Sequence, residues 1–467
     1  MVTNHATRTP GKLEMESDEL EIVSRVLTGK SLVVGLGKTG LSFARFLYAH
    51  GHPFAIADSR ELPPSIRWVR SEMPGLDLYL GRFDPELFAQ FDHLLISPGV
   101  SVNDPAIRHA RDKGIEVIGD VELFARHVDK PVIAITGSNG KSTVTALMGE
   151  LVREAEFDVR VGGNIGTPVL ELLDQHAPDY YVLELSSFQL ETTHSLSPVA
   201  SVILNVSPDH LDRYDDLDAY LKAKLNIFHG NGVIVVNRDE TELQHRIPAN
   251  RRAIEYGAGS PSGEGFGLEI RDGKTWIVKG EKRLVSESEL KLRGKHNLSN
   301  AMAALALGEA IGLPVEKMVR AMKEFSGLPH RMQVVKQNNE VTWINDSKGT
   351  NVGATMAALD SVEGKVVLIA GGIGKGADFT PLAGLLNVKA RKVILIGEDA
   401  LIIGALINNE NLVIHAGSME DAVIQASRFA LPGDTVLLSP ACASFDMFSN
   451  FEERGAVFEN AVKELTR

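Results

Sequence analysis

Between residues 134 and 143 the chain reads AITGSNGKST: an apolar run, a glycine turn, a lysine and two hydroxyls. In such a turn the backbone N–H groups of Gly137, Ser138, Asn139 and Gly140 converge on phosphate oxygens, helped by the positive end of the helix that follows. Lys141 is placed to reach the outer phosphates, Ser142 to offer its hydroxyl to Mg²⁺, with Thr143 beside it. The common P-loop spaces its glycines by four residues; here two intervene, so the turn is a variant. The bland alternative is a tight strand-to-helix turn with a chance lysine. Packing alone does not explain a lysine and hydroxyls at this spot.

A second turn, GLGKTG over 35–40, has the spacing of a dinucleotide fingerprint, and Asp58 closes the next apolar run. It predicts a Rossmann-like domain that holds some nucleotide diphosphate, without specifying which. A third, AGGIGKGADF, lacks that spacing; its Lys375 suits an anion and a solvated loop equally. Glu184 ends the apolar run of YYVLELSSFQLE, where a carboxylate is costly unless it is paired or binds a metal. His210 follows another apolar run in LNVSPDHLDRY, and a satisfied loop histidine fits it as well as a site ligand does. Asn297 and Asn300 are three apart on one helical face of GKHNLSNAMAAL. They suit an adenine edge, and they suit helix N-capping too.

These residues need a scaffold. Each glycine turn lies between a β-branched run and an amphipathic segment, the pattern of a strand–helix unit in a parallel sheet. The remaining strands, such as FAIAD, HLLISPG, GVIVVN and DTVLLSP, are apolar throughout, as strands covered on both faces are. One passage differs: Asp272-Gly273 joins two alternating segments and predicts a hairpin. The 467 residues suggest about three domains. Breaks near 119–130 and 327–331 divide an N-terminal tail (1–27, expected flexible) from parts at 28–119, 120–327 and 328–467. The expected fold is α/β with three domains: a Rossmann-like N-terminal domain, a central P-loop ATPase domain with a parallel sheet and a small hairpin region, and a Rossmann-like C-terminal domain.

The net charge of −13 argues against a nucleic-acid partner. A single cysteine, Cys442, excludes an intramolecular disulfide and fits a reducing compartment. The first twenty residues lack the apolar core of a signal peptide, and no eighteen apolar residues run together. The expectation is a cytoplasmic protein with no membrane insertion.

Taken together, AITGSNGKSTVT, GGNIGTP, ELSSFQLETT, LNVSPDHLDRY, GKHNLSNAMAAL, GLPHRM, INDSKGTNVGAT and LSPACASFDMFSNFEERG resemble the Mur ligase family, and within it the branch that adds D-glutamate. The likeness runs from about Gly35 to the C-terminus. It implies an ATP-dependent amide ligase that joins D-glutamate to UDP-N-acetylmuramoyl-L-alanine, as a monomer, in peptidoglycan precursor synthesis. By resemblance, Lys38, Thr39, Ser59, Arg60 and Gly99 lie along the UDP moiety, and Asn164 beside the metals and the muramoyl group. Two Mg²⁺ ions fall to Ser142, Glu184, His210 and Lys224, the last carrying a CO₂-derived carbamate. The implied catalytic groups are Lys141, His210 and Lys224. His296, Asn297, Asn300, Arg331 and Asp346 complete the ATP site with the turn residues. Lys348, Thr350, Lys375, Ser444, Phe445 and Phe451 receive D-glutamate, whose two carboxylates suit cations and hydroxyls.

The resemblance also implies a route. The L-alanine carboxylate takes the γ-phosphoryl group, and the amine then attacks the acyl phosphate. Competing readings are another Mur ligase, a folylpolyglutamate synthase, a nucleotide-binding regulatory module and an NAD dehydrogenase. The first glycine turn has no role in the second of these. The cations of the C-terminal part are idle in the third, and the phosphate turn opposes the fourth.

Overall fold

The computed structural model describes residues 26–173, 176–209, 213–248, 250–261, 263–292 and 294–465. Most of the N-terminal tail (1–25) and His210 therefore lie outside the described residues. Two compact units are formed. The first holds the chain up to Asp129 together with Pro168–His176 and Thr192–Leu196; the second holds the remainder. Among the described residues no helix is long and apolar enough to cross a membrane.

In the first unit five parallel strands run in the order Leu78–Leu80, Phe54–Asp58, Ser31–Val34, His93–Ile96 and Glu116–Ile118. Side chains alternate across a strand, so Leu32, Val34, Ala55, Ala57, Leu94 and Ile96 share one face. They form a core with Ile107 and Ala110 of the helix Pro105–Asp112. The glycine turn that ends Ser31–Val34 is tight: a Cβ on Gly40 would lie 1.8 Å from the Gly35 carbonyl oxygen. Asp58 is tied into the turn and to Arg60. Its carboxylate accepts the Leu36 N–H at 2.6 Å and the Arg60 N–H at 2.9 Å, and it pairs with Arg60 Nε and Nη2 at 2.8 and 2.7 Å.

Burial alone would push Asp58 up; the Arg60 side chain and the two N–H groups outweigh it and hold the carboxyl below its usual range. A depressed folded-state pKa adds stability above the ordinary carboxylate range, and this is lost as pH falls through the folded value. Asp58→Asn should therefore cost about 1–3 kcal/mol in urea unfolding at neutral pH. The difference from wild type should shrink under acid conditions; a cost independent of pH would refute the charge argument.

Residues 120–129, within the expected break at 119–130, lie in the first unit. Glu122, on the helix Asp120–Ala125, accepts the N–H groups of His194 and Ser195 at 2.6 and 2.8 Å and the Ser195 hydroxyl at 2.9 Å. The unit boundary falls at Asp129, and the expected break at 327 lies inside the second unit.

The second unit holds two sheets. The larger has nine strands in the order Lys282–Ser286, Lys274–Lys279, Phe266–Arg271, Ala253–Tyr256, Val233–Asn237, Ala200–Ile203, Val132–Thr136, Tyr180–Glu184 and Val159–Gly163. It is parallel except for the antiparallel pairs at its first edge. There Asp272 and Gly273 have φ of 52° and 70°, as a two-residue hairpin turn requires. The smaller sheet has six strands in the order Gln333–Asn338, Val341–Asn345, Thr435–Leu438, Val366–Gly371, Ala390–Ile396 and Val413–His415. Its first pair is an antiparallel hairpin turned at Asn339 and Glu340, both at positive φ, which the sequence pattern did not announce.

Candidate active site

The strand Val132–Thr136 lies inside its sheet, between Ala200–Ile203 and Tyr180–Glu184, and its carboxyl end delivers the glycine turn into the helix Lys141–Glu154. Ligands collect at such strand ends in α/β sheets. Two loop residues outside the expected set brace the turn. Asn205 accepts the Asn139 N–H at 2.8 Å and donates to the Asn139 carbonyl at 3.1 Å. Ser138 Oγ exchanges hydrogen bonds with the Ser207 backbone at 2.9 and 3.0 Å and meets Tyr220 Oη at 3.2 Å. A polar residue directly after the apolar run of residues 202–204 was the only available sequence signal for Asn205.

Gly140 has φ of 82°, and a Cβ there would lie 2.4 Å from Asn300 Oδ1. Gly140→Ala is expected to destabilise by roughly 1–3 kcal/mol. It should raise the KM for ATP about tenfold by displacing the turn. Thermal unfolding and ATP titration check both, and an unchanged KM would contradict the role given to the turn.

Four cations surround this turn. Lys141 folds back on its own loop, donating to the carbonyls of Gly137 at 2.8 Å and Ser138 at 2.9 Å. Burial lowers its pKa; Glu184 and Asp209 act against that, and Arg331 with it. Lys224 is 1% exposed, donates to the same Gly137 carbonyl at 3.1 Å, and stands over the Tyr220 ring at 4.4 Å. Burial, then the neighbouring Lys141, hold its pKa well below the usual lysine range. Arg331 Nη2 donates to Ser142 Oγ at 2.6 Å. Lys348 lies on the Phe451 ring at 3.9 Å, its pKa lowered to about 8 chiefly by burial.

Glu184 is 1% exposed at the end of its strand. Oε1 accepts from Asn164 Nδ2 at 2.8 Å, whereas buried Oε2 has no hydrogen-bond partner. An unpaired buried carboxylate oxygen is costly, and a hard cation satisfies it. Glu184 and the Ser142 hydroxyl supply oxygen donors that fit Mg²⁺. Lys224 as a free amine does not, because it is a hydrogen-bond donor here. Among the described residues no three His, Cys, Asp or Glu converge on a metal position.

Two cavities meet at the turn. One, of about 310 Å³, brings Asn139, Gly140 and Thr143 together with His296, Asn297, Asn300, Arg331, Asp346 and Lys348. The helix Lys295–Ala310 begins after Gly294, so Asn297 and Asn300 are not caps. Both are buried within the helix, with Asn300 Nδ2 donating to Asn297 Oδ1 at 3.3 Å. Burial lowers the pKa of His296. Asp346 is raised to about 6 by burial, against hydrogen bonds from Ser439 and the Met332 N–H. The other cavity, of about 420 Å³, gathers Ser138, Lys141, Ser142, Asn164, Glu184, Lys224, Lys348, Thr350, Lys375 and Phe445. Lys348 lines both.

Some expected residues sit apart. Gly137 lines neither cavity, although its carbonyl binds both lysines. Ser444 is buried, and Phe451 lies beneath Lys348 instead of on a cavity wall. In the first unit, Ser59 and Gly99 share a cavity of about 520 Å³, which Lys38, Thr39 and Arg60 do not line. Lys38 and Thr39 open the helix Lys38–Ala49, and Arg60 is engaged with Asp58. Asn164 belongs to the second unit.

Comparison with known families accounts for most of the chain. Residues 29–119 match the Mur ligase MurD-like N-terminal domain, 135–308 the Mur ligase middle domain, and 330–442 the Mur ligase glutamate ligase domain. The chain belongs to the Mur ligase family. Curated family members similar to it include the UDP-N-acetylmuramoylalanine--D-glutamate ligases of Nitrosococcus oceani and Marinobacter nauticus. The first is 52% identical over 93% of this chain and 96% of its own length. The second is 50% identical over 93% and 98%. Among solved structures, UDP-N-acetylmuramate-alanine ligase MurC of Thermotoga maritima superposes with a TM-score of 0.60. It is 20% identical and covers 93% of this chain and 99% of its own. MurF ligase of the same organism, solved in complex with ADP, gives 0.59 at 19% identity, over 93% and 95%. These two share the Mur ligase fold.

Proposed function

We propose that the chain is an ATP-dependent ligase that joins D-glutamate to UDP-N-acetylmuramoyl-L-alanine, acting as a cytoplasmic monomer in peptidoglycan precursor synthesis. The observation that carries this reading is the cavity in which the phosphate turn, the half-paired Glu184 and the lysines of two later loops share one wall. A phosphoryl donor, a carboxylate made reactive and an anionic amino acid all find complementary groups there. The names of the half-identical relatives supply the substrate pair.

In this reading residues 28–119 take the UDP group, with Lys38, Thr39, Ser59, Gly99 and the Arg60 Nη1 that Asp58 leaves unused. Asn164 meets the muramoyl end. Residues 120–327 hold ATP through the phosphate turn, His296, Asn297 and Asn300; residues 328–467 add Arg331 and Asp346. Lys348, Thr350, Lys375 and Phe445 receive D-glutamate, above Ser444 and Phe451.

A carboxylate repels nucleophiles and has no good leaving group. Its oxygen therefore attacks the γ-phosphorus, ADP departs with the bridging oxygen, and an acyl phosphate results. The D-glutamate amine then attacks the carbonyl carbon; the C–N bond forms, phosphate leaves with the C–O electron pair, and one proton is released. Lys141 exchanges its two loop carbonyls for phosphate oxygens and offsets the charge on the transferring group. Ser142, Glu184, His210 and Lys224 would hold Mg²⁺, which would neutralise phosphate charge and polarise the phosphoryl group. For Lys224 this requires the carbamate, which replaces a donor by anionic oxygens. Water must be kept from the acyl phosphate while the amine approaches.

The test uses the UDP substrate labelled with oxygen-18 in its alanine carboxylate, together with ATP and D-glutamate. One labelled oxygen should appear in the released orthophosphate, and the product should gain a glutamyl residue by mass. Unlabelled orthophosphate refutes the acyl phosphate. Turnover with a different amino acid in a parallel panel refutes D-glutamate.

A further inference from the structure

We propose that Arg454 is a positioning residue that fixes the acceptor pocket by fastening together the loops that carry it. The proposal rests on the ligase reading above, because the pocket it shapes is the one assigned to the amino acid.

Arg454 lies in the first turn of the helix Phe451–Glu464 and is 1% exposed. No larger side chain is so fully buried among the described residues. It makes no salt bridge among them. Instead Nε donates to Ser347 Oγ at 3.0 Å, Nη2 to the Ser347 carbonyl at 2.8 Å, and Nη1 to the Cys442 carbonyl at 3.0 Å. Ser347 precedes Lys348 and Thr350; Cys442 precedes Ser444 and Phe445. Ser347 Oγ in turn donates to the Phe451 carbonyl at 2.8 Å, at the head of the helix whose first ring carries Lys348.

Main-chain bonds close the rest of the frame. The Ala441 N–H donates to the Gly349 carbonyl at 2.8 Å, with Ala441 at a φ of 60°. Ile373 and Ala443 exchange N–H···O bonds at 3.0 and 2.8 Å, tying in the loop of Lys375. Burying a cation that no carboxylate bonds directly is unfavourable, and burial lowers the pKa of Arg454 to about 10, with Cys442, Asp446 and Asp346 acting against it from a distance. A planar fork that reaches three acceptors on two loops is the compensating gain. The ammonium of a lysine is a point charge and does not span them.

Hydroxylamine, unprotonated at neutral pH, captures the acyl phosphate as a hydroxamate without D-glutamate, so it separates the two halves of the reaction. In Arg454→Met, hydroxamate formation should stay within about twofold of wild type. The KM for D-glutamate should rise roughly 10–100-fold. Arg454→Lys should resemble the methionine variant. Ser347→Ala, which removes one acceptor and keeps the core, should raise that KM about 3–10-fold. If Arg454→Met does not fold, Ser347→Ala decides alone. Parallel loss of both half-reactions, an unchanged KM, or full rescue by lysine would each overturn the proposal. Failure of the ligase reading is distinguishable: wild type itself would then give hydroxamate without a glutamyl product, or neither.

Discussion

Lys141→Met should lower kcat by about 10³-fold if, as proposed, it removes the charged donor that meets the transferring phosphoryl group. Both readouts, hydroxamate formation and glutamyl product, should fall together, since the lysine acts before the amine arrives. Stability should move in the opposite sense to activity. Burial already works against the Lys141 ammonium, and its two acceptors are carbonyls of its own turn. Methionine keeps the length of the side chain without the charge, so the melting temperature should hold or rise. Phosphate-release kinetics and thermal unfolding of the same variant settle the matter. A fall in melting temperature that tracks the fall in kcat would reduce Lys141 to a brace for the turn.

Glu184→Gln comes next in size. The amide keeps an oxygen for Asn164 to donate to and replaces the unpartnered Oε2 by NH₂. A side chain that served only packing would tolerate that exchange. A metal ligand would not, because the charge and the second oxygen are both gone. The expected loss in kcat is about a hundredfold or more, equivalent to about 3 kcal/mol of transition-state stabilisation. The Mg²⁺ concentration needed for half-maximal phosphate release should rise as well. Urea unfolding without Mg²⁺ should give equal or greater stability for the variant. A variant with wild-type Mg²⁺ dependence would remove Glu184 from the metal site.

The local features were readable in advance, since they depend on residues close in the chain. AITGSNGKST announced its strand, turn and helix, and Asp272-Gly273 its hairpin, because glycine admits the positive φ that such turns need wherever it occurs. Local pattern misled where two local explanations competed. Capping suited Asn297 and Asn300 by type, yet Gly294 caps the helix and both residues line the cavity at the phosphate turn. Asp58 ended its strand as the fingerprint expects, but Arg60 two residues later engages it. What stayed hidden was non-local. Arg454 and Ser347 are 107 positions apart, and Glu122 and Ser195 are 73. No periodicity encodes such a pairing. It also accounts for residues 192–196 lying in the first unit.

The acceptor loops differ from the phosphate turn in what holds them. Gly349 to Ala441 and Ile373 to Ala443 are joined through peptide groups, which every substitution except proline retains. Thr350, Lys375 and Phe445 face the cavity as tenants of that lattice. If these loops receive the amino acid as proposed, exchanges at Thr350, Lys375 or Phe445 would change which one is taken, while the main-chain joints and the Arg454 fork keep the mould's dimensions. That is an inexpensive way for a lineage of related ligases to diversify.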